Sequence, residues 1–156
     1  HSLVYEAREQ AAKHFLESDC DYLLFLDSDM VPPADMLIKL IQHDKPIVSA
    51  LAFRRVPNYE PCIFKNDMEF YLDYPKSLIE VAGVGMACTL IKREVFEKVP
   101  QPWFTPTAIG EDLSFCKRAT DAGYKIFCDT NLICGHVGSY EVREAHYVNW
   151  MHAGQK

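Results

Sequence analysis

The residues that decide the fold are Asp21-Tyr22-Leu23-Leu24-Phe25-Leu26-Asp27-Ser28-Asp29-Met30. Five apolar or aromatic residues in succession lead directly into two aspartates that are separated by one serine. A short apolar run with polar residues at both ends predicts a strand that is buried on both faces of a sheet. The carboxylates then follow the C-terminal end of that strand, where open α/β sheets place their ligand sites. Pro32-Pro33 ends the strand, because proline cannot donate a ladder hydrogen bond.

The two aspartates have two interpretations. In extended backbone, side chains at i and i+2 point to the same side, so Asp27 and Asp29 are expected to converge on one cation. Alternatively, Asp-Ser-Asp forms an ordinary solvent-exposed turn, since Asp and Ser are common turn residues. An Asp-x-Asp sequence alone does not separate the two, but its position after a hydrophobic strand favours a metal or phosphate site.

Composition limits the class of protein. A chain of 156 residues predicts a single domain over 1–156, and 49% hydrophobic with 24% charged residues is typical of a soluble globular protein. The net charge of −6 argues against a nucleic-acid partner and suits a site that recruits divalent cations. Because no apolar run approaches membrane-spanning length, we expect no membrane span.

The six cysteines contain no Cys-x-x-Cys pair, and most of them lie within apolar runs. This pattern predicts small buried hydrophobic residues in a reducing, cytoplasmic compartment rather than a zinc site or a disulfide framework. If the chain were secreted, its even number of cysteines would keep disulfide bonds possible.

The periodicity before and after the first strand predicts an α/β fold. Apolar residues at helical spacing predict an amphipathic helix over 3–18, a second helix over 33–43 with proline in its first turn, and a strand over 47–53. Strand, helix and strand at this spacing suggest a right-handed crossover between parallel strands. We therefore expect a mixed, mostly parallel sheet.

The rest of the chain predicts shorter elements. Residues 54–80 are expected to form an antiparallel excursion or a substrate loop between strands of the main sheet. The elements that follow are predicted in the order strand 86–91, helix 92–98, helix 113–122 ended by Gly123, and strands 124–128 and 132–134.

Three polar groups follow or interrupt hydrophobic elements: Asp27 with Asp29, Glu111 with Asp112, and His136. Acidic residues at a helix start commonly complement the helix dipole, and a histidine between glycines is often only a turn residue. Together, however, the groups supply what a divalent cation and a diphosphate require. Asp29 and His136 could bind the metal with help from Asp27, which leaves Asp112 as a base. A carboxylate–imidazole site suits Mn²⁺ at least as well as Mg²⁺.

The order of these motifs resembles that of GT-A-fold nucleotide-sugar glycosyltransferases, particularly family 2-like members. Four motifs within 8–138 are shared, in the same order. The first is a strand followed by Asp-Ser-Asp, and the second is Gly-Val-Gly followed by a strand. The third is an aromatic loop followed by Gly-Glu-Asp at the start of a helix, and the fourth is Gly-His-Val-Gly. The resemblance implies a Rossmann-like three-layer fold. It also implies metal-dependent transfer of a sugar from a nucleoside diphosphate donor to an acceptor hydroxyl.

The resemblance assigns roles to the polar residues. Asp29 would ligate the metal that bridges the donor diphosphate, Asp27 would contact the ribose or the metal shell, and His136 would complete the metal site. Asp112 matches the acidic residue that deprotonates the acceptor in inverting members, and Glu111 would orient it or contact the acceptor. Retaining members share the metal site, so the stereochemistry stays open.

The resemblance also implies a donor pocket. Gly83 and Gly85 match a segment that lines the donor-sugar pocket, where missing side chains let the sugar approach the backbone. Arg8 lies where related enzymes place a basic residue near the nucleotide, although a solvent-exposed helix arginine is an equal alternative. Trp103 and Phe104 could stack on a sugar face or belong to the core.

The chain departs from that family at its start. Only about one helix precedes Asp27, so the resemblance implies a domain that lacks the first βαβ segment. The sheet would then expose an edge strand, which favours a homo-oligomer. Two other functions stay open: a non-catalytic remnant that binds metal or carbohydrate, and a metal-dependent phosphohydrolase or nucleotidyltransferase that uses Asp27 and Asp29.

Overall fold

A computed structural model describes residues 3–66 and 68–154. The helices are α1 (Leu3–Glu17), α2 (Met36–Gln42), α3 (Arg93–Lys98), α4 (Glu111–Asp121) and α5 (Glu144–Ala153). The strands are β1 (Tyr22–Leu26), β2 (Met30–Val31), β3 (Ile47–Leu51), β4 (Ile63–Phe64), β5 (Leu78–Val81), β6 (Gly83–Val84), β7 (Cys88–Lys92), β8 (Ile126–Ile133), β9 (Gly135–Val137) and β10 (Glu141–Val142). The predicted α/β class is confirmed. Across the described residues, no helix is both long and apolar enough to cross a membrane.

The main sheet has five strands in the order β1-β7-β3-β8-β5. Strand β7 pairs antiparallel with both β1 and β3, and β5 pairs antiparallel with β8. Only the β3–β8 pair is parallel. The expectation of a mostly parallel sheet is therefore wrong. The helix α2 does connect two strands of the same direction, but β7 is inserted between them.

Strand β1 lies at one edge of this sheet, so the sheet has an edge strand at the position of the Asp-Ser-Asp segment. Of its five residues only Phe25 is buried, and Leu26 is 43% exposed. The expectation of a strand buried on both faces is wrong for this edge strand, since three of its residues are half-buried and one is exposed. A homo-oligomer formed through this edge stays a prediction.

Helices cover both faces of the sheet, which gives three layers. Successive strand residues point to opposite faces, so each strand contributes to two hydrophobic clusters. The cluster with α1, α3 and α4 contains Ile47, Leu51, Ile91, Phe15, Phe96 and Phe115. The cluster with α2 contains Val48, Ala50, Leu90, Met36 and Leu40.

The aromatic loop before α4 belongs to the first cluster. Trp103 and Phe104 are only 1% and 2% exposed. The Phe104 ring packs 4.9 Å from the Phe115 ring, and the Trp103 indole N–H donates to the Val99 carbonyl at 2.8 Å. Glu9 on α1 accepts both backbone N–H groups of this pair, at 2.9 and 3.0 Å. These two aromatic residues are therefore core residues and are not available to stack on a sugar.

The C-terminal region contains more regular structure than predicted. A single strand, β8, replaces two short predicted strands, and its register against β3 shifts between Ala50 and Leu51. The segment after β9 forms β10 and α5, although the only buried residue of that helix is Tyr147. Such a helix has no clear apolar stripe, so periodicity gave no signal for it. Gly123 ends α4 with a φ of +94°, as predicted.

All six cysteines are free thiols, and four of them are buried: Cys88, Cys116, Cys128 and Cys134. The prediction of small buried hydrophobic residues is confirmed for these four.

Candidate functional site

The Asp-Ser-Asp segment forms a turn between β1 and β2. The Met30 N–H donates to the Asp27 carbonyl at 3.1 Å, so the backbone here is folded back rather than extended. The argument that i and i+2 side chains share one side therefore does not apply. The two aspartates contact different partners: Asp27 binds Arg8, and Asp29 binds Arg55. The structure does not bring both carboxylates onto one centre.

Arg8 joins the end of β1 to the start of α4. It lies on the same face of α1 as the buried residues Ala12 and Phe15, and it is only 6% exposed. Its guanidinium lies 3.3 Å from an Asp27 oxygen and 3.0 Å from a Glu111 oxygen, and it also donates to Asp112. The alternative of a solvent-exposed helix arginine is wrong. One buried cation thus holds three of the predicted site carboxylates together.

This cluster controls the protonation of Asp112. Burial is the largest effect and raises the pKa of the carboxyl from its ordinary 3.8 to about 6. The Arg8 charge and a 3.0 Å hydrogen bond from the Met86 N–H lower that pKa, while the charges of Glu111 and Asp27 raise it. A carboxyl with a pKa near 6 is matched to proton transfer close to neutral pH.

A cavity of ≈ 250 Å³ lies beside Asp112 and Glu111 and is also lined by Cys62 and Gly85. A Cβ added at Gly85 would lie 3.4 Å from the Cβ of Cys62 and 3.8 Å from an Asp112 oxygen. The missing side chain therefore keeps this carboxylate accessible from the cavity.

Gly83 has a different role from the one expected. A Cβ at this position would lie 2.7 Å from Cδ2 of Leu113, because β6 packs directly against α4. Gly83 is buried and permits this close packing, whereas Gly85 is the glycine that borders the cavity.

His136 lies beside Asp29, because β9 pairs with β2 and places His136 opposite Met30. The ring Nδ1 lies 2.8 Å from the Phe53 carbonyl, and Nε2 lies 3.4 Å from Oδ2 of Asp29. A carbonyl can only accept, so Nδ1 carries the hydrogen. In a neutral ring, Nε2 then presents a lone pair to a carboxylate oxygen.

Arg55 supplies a positive charge at the same place, and sequence reasoning did not select it. Its Nη1 lies 2.8 Å from Oδ2 of Asp29 and 3.4 Å from the Val137 carbonyl. Arg55 lies in a polar loop after β3, next to another arginine. Neither its spacing from other residues nor a hydrophobic periodicity therefore indicates that it belongs to a site. Arg55 lies beside Asp29 only in the tertiary structure, in which β2 pairs with β9.

Two neighbouring side chains could donate to a metal: the Asp29 carboxylate and the His136 imidazole. Within the described ranges, no group of three or more His, Cys, Asp or Glu side chains could hold a metal ion. Two protein donors fit a cation that takes its remaining ligands from phosphate oxygens and water, as Mg²⁺ commonly does. Asp27 is engaged by Arg8 and is not a third donor in this arrangement.

The chain is similar to known proteins in its structure. No family model matches the chain, and no curated protein matches it. Among solved structures, the chain is similar to the viral protein A197 from STIV, with 28% identity and a TM-score of 0.66. The similarity covers 86% of this chain and 68% of A197.

These comparisons correct the family assignment made from the motifs. The expected membership in GT-A-fold, family 2-like glycosyltransferases is wrong. No family model or curated protein supports it, the solved structure described above is a viral protein of another name, and the described residues hold no three-residue metal cluster. What stands is a mixed α/β protein with an arginine-linked acidic cluster beside a cavity.

Proposed function

We propose that this chain transfers a sugar from a nucleoside diphosphate donor to an acceptor hydroxyl, with Mn²⁺ or Mg²⁺ as cofactor. The observation that carries the proposal is the Arg8 cluster. It joins Asp27, which follows β1 on the expected donor side, to Asp112, the expected base at the head of α4. A single displacement requires the base and the donor to be held next to each other.

Asp112 is the proposed base. In its ionised form it takes the proton of the acceptor hydroxyl while the acceptor oxygen bonds to the anomeric carbon. The bond between that carbon and the diphosphate oxygen breaks, and the diphosphate leaves with the electron pair. A pKa of about 6 leaves most Asp112 side chains ionised at pH 7, yet basic enough to accept a proton in the transition state.

Asp29 and His136 are the proposed metal ligands. When bound, a divalent cation would neutralise charge on the departing diphosphate. The Phe53 carbonyl fixes the His136 ring so that Nε2 faces Asp29, which supports a shared cation. We expect Asp29→Ala to abolish metal binding and His136→Ala to weaken it.

Product analysis tests this proposal. The purified chain is incubated with a panel of UDP- and GDP-sugars and Mn²⁺, and the released species are separated by chromatography. The proposal expects free nucleoside diphosphate with transferred or hydrolysed sugar. It also expects Asp112→Asn to lose the reaction while still binding Mn²⁺. Loss of Mn²⁺ binding in that variant would contradict the assignment of Asp112 as base.

The exposed residue Asp121 offers a matched control. It lies at the other end of α4 and pairs with Lys117, so Asp121→Asn should keep wild-type turnover. Release of inorganic phosphate or nucleoside monophosphate, unaffected by Asp112→Asn, would instead indicate a phosphohydrolase or nucleotidyltransferase.

A non-catalytic binding protein is the second candidate. Two arginines already pair with the site carboxylates: Arg8 binds three of them and Arg55 binds Asp29. Each of these four carboxylates therefore has an ion-pair partner within the chain. Binding of Mn²⁺ or a carbohydrate, with no consumption of any donor, would favour this candidate.

A further inference from the structure

Arg55 occupies the oxygen that a metal would use. Its guanidinium lies 2.8 Å from Oδ2 of Asp29, and Nε2 of His136 lies 3.4 Å from that same oxygen. The arginine is thus the cation that faces the proposed metal ligands.

We propose that Arg55 is an exchangeable counter-ion: it holds Asp29 in the metal-free protein and moves to the diphosphate of the donor when a divalent cation binds. This inference rests on the proposed function and concerns the regulation of that same site. It predicts that metal and nucleoside diphosphate bind cooperatively.

Electrostatics makes the exchange necessary. A divalent cation on Oδ2 of Asp29 would lie within a few ångström of the guanidinium, and two cations at that separation repel strongly. The metal must therefore displace Arg55. A displaced guanidinium has a planar set of donors that match a phosphate group, so a diphosphate gives it a new partner beside the metal.

The surroundings of Arg55 allow this movement. Half of its side chain is exposed, and its second contact, to the Val137 carbonyl, is long at 3.4 Å. Gly138, which has no side chain, lies alongside: a Cβ there would be in ordinary van der Waals contact with Cδ of Arg55, at 3.7 Å. By contrast, the Arg8 side chain is only 8% exposed and binds three carboxylates, which makes it a fixed part of the structure.

The consequence is a thermodynamic coupling. Binding of the metal alone is weakened, because the Asp29–Arg55 ion pair must be broken. A nucleoside diphosphate restores a partner to Arg55 and so tightens metal binding, and by linkage the metal tightens nucleotide binding by the same factor.

Binding of Mn²⁺ measured by electron paramagnetic resonance tests this without any assay of activity. The wild type, Arg55→Gln, Arg55→Lys and Arg54→Gln are titrated with Mn²⁺, with and without UDP. Arg54 is a matched control, because it has the same charge, is adjacent and pairs with Glu60 instead of Asp29. Since both arginines are about half exposed, these variants should fold.

Without nucleotide, we expect Arg55→Gln to bind Mn²⁺ about tenfold more tightly than the wild type and Arg54→Gln. UDP should tighten Mn²⁺ binding by about tenfold in the wild type and by much less in Arg55→Gln. Arg55→Lys should lie between them, since lysine supplies the charge without the planar donors.

Equal Mn²⁺ affinity of Arg55→Gln and the wild type would overturn the inference and leave the proposed function standing. Tighter Mn²⁺ binding by Arg55→Gln, with an unchanged effect of UDP, would overturn the transfer of Arg55 to the diphosphate. Absence of Mn²⁺ binding in Arg55→Gln would overturn the inference together with the proposed metal site.

Discussion

The pKa of Asp112 predicts a specific dependence of stability on pH. Replacing it by asparagine removes the titrating carboxyl and keeps the size of the side chain. In the folded chain the pKa is about 6 against an ordinary value of 3.8. A difference of about two pH units corresponds to about 3 kcal/mol of folding free energy.

The sign follows from the direction of the shift. The folded chain holds this proton more tightly than the unfolded chain, so the contribution of Asp112 to stability is complete below pH 3.8. It is lost as the pH rises through about 6. The stability of the wild type relative to Asp112→Asn should therefore fall by about 3 kcal/mol between pH 3 and pH 7.

Urea denaturation at constant ionic strength across this pH range measures the difference. Any constant cost of the substitution, such as a poorer contact with Arg8, cancels in the pH-dependent part. Asp121→Asn, which removes an exposed carboxylate from the same helix, should follow the wild-type profile. Parallel profiles for the wild type and Asp112→Asn would refute the conclusion that burial raises the pKa of Asp112.

Three further predictions concern packing and charge. Arg8→Met leaves three carboxylates without their buried cation. At pH 7, urea denaturation should therefore show that the free energy of unfolding falls by about 3–5 kcal/mol, and this loss should shrink as the pH is lowered. An unchanged stability would contradict the buried cluster. Gly83→Ala should lower the free energy of unfolding by about 1–3 kcal/mol, because its Cβ would lie 2.7 Å from Leu113. Gly85→Ala should lower it by less. Similar losses for the two variants would argue against the different roles of the two glycines. Cys88 and Cys134 are buried with their sulfurs in contact, so refolding the urea-unfolded chain in glutathione disulfide should join them in one disulfide, with two glutathione thiols released for the two protein thiols lost. The 46-residue separation gives a stabilisation of up to about 4 kcal/mol. Peptide mapping that finds all six thiols intact would contradict this.

Local sequence patterns were enough to predict much of the fold. The helix before β1, the strand itself, the Gly123 stop and the helix that begins near Asp112 all follow from apolar periodicity and from glycine and proline positions. These signals act within about ten residues. Such local signals do not determine strand order. The insertion of β7 between β1 and β3 was therefore not predicted, and neither was the antiparallel character of the sheet that results from it.

The same distinction applies to the site. Individual carboxylates and His136 were selected because each follows a hydrophobic element. Their partners were not: the contacts of Arg8 with Asp112 and of Arg55 with Asp29 span long stretches of sequence and depend on tertiary packing. The turn at Ser28 also separated Asp27 from Asp29, since the Met30 hydrogen bond replaced the extended backbone on which their convergence depended.

The central claim is a donor site in which Asp29 and a divalent cation hold a nucleoside diphosphate. Calorimetric titration of the chain with UDP, in the presence and absence of Mn²⁺, tests it most directly, with Asp29→Ala as control and GDP as second ligand. We expect UDP or GDP to bind only with Mn²⁺, and this binding to be lost in Asp29→Ala. Failure of both nucleotides to bind in the presence of Mn²⁺, or equal binding by Asp29→Ala, would contradict the claim.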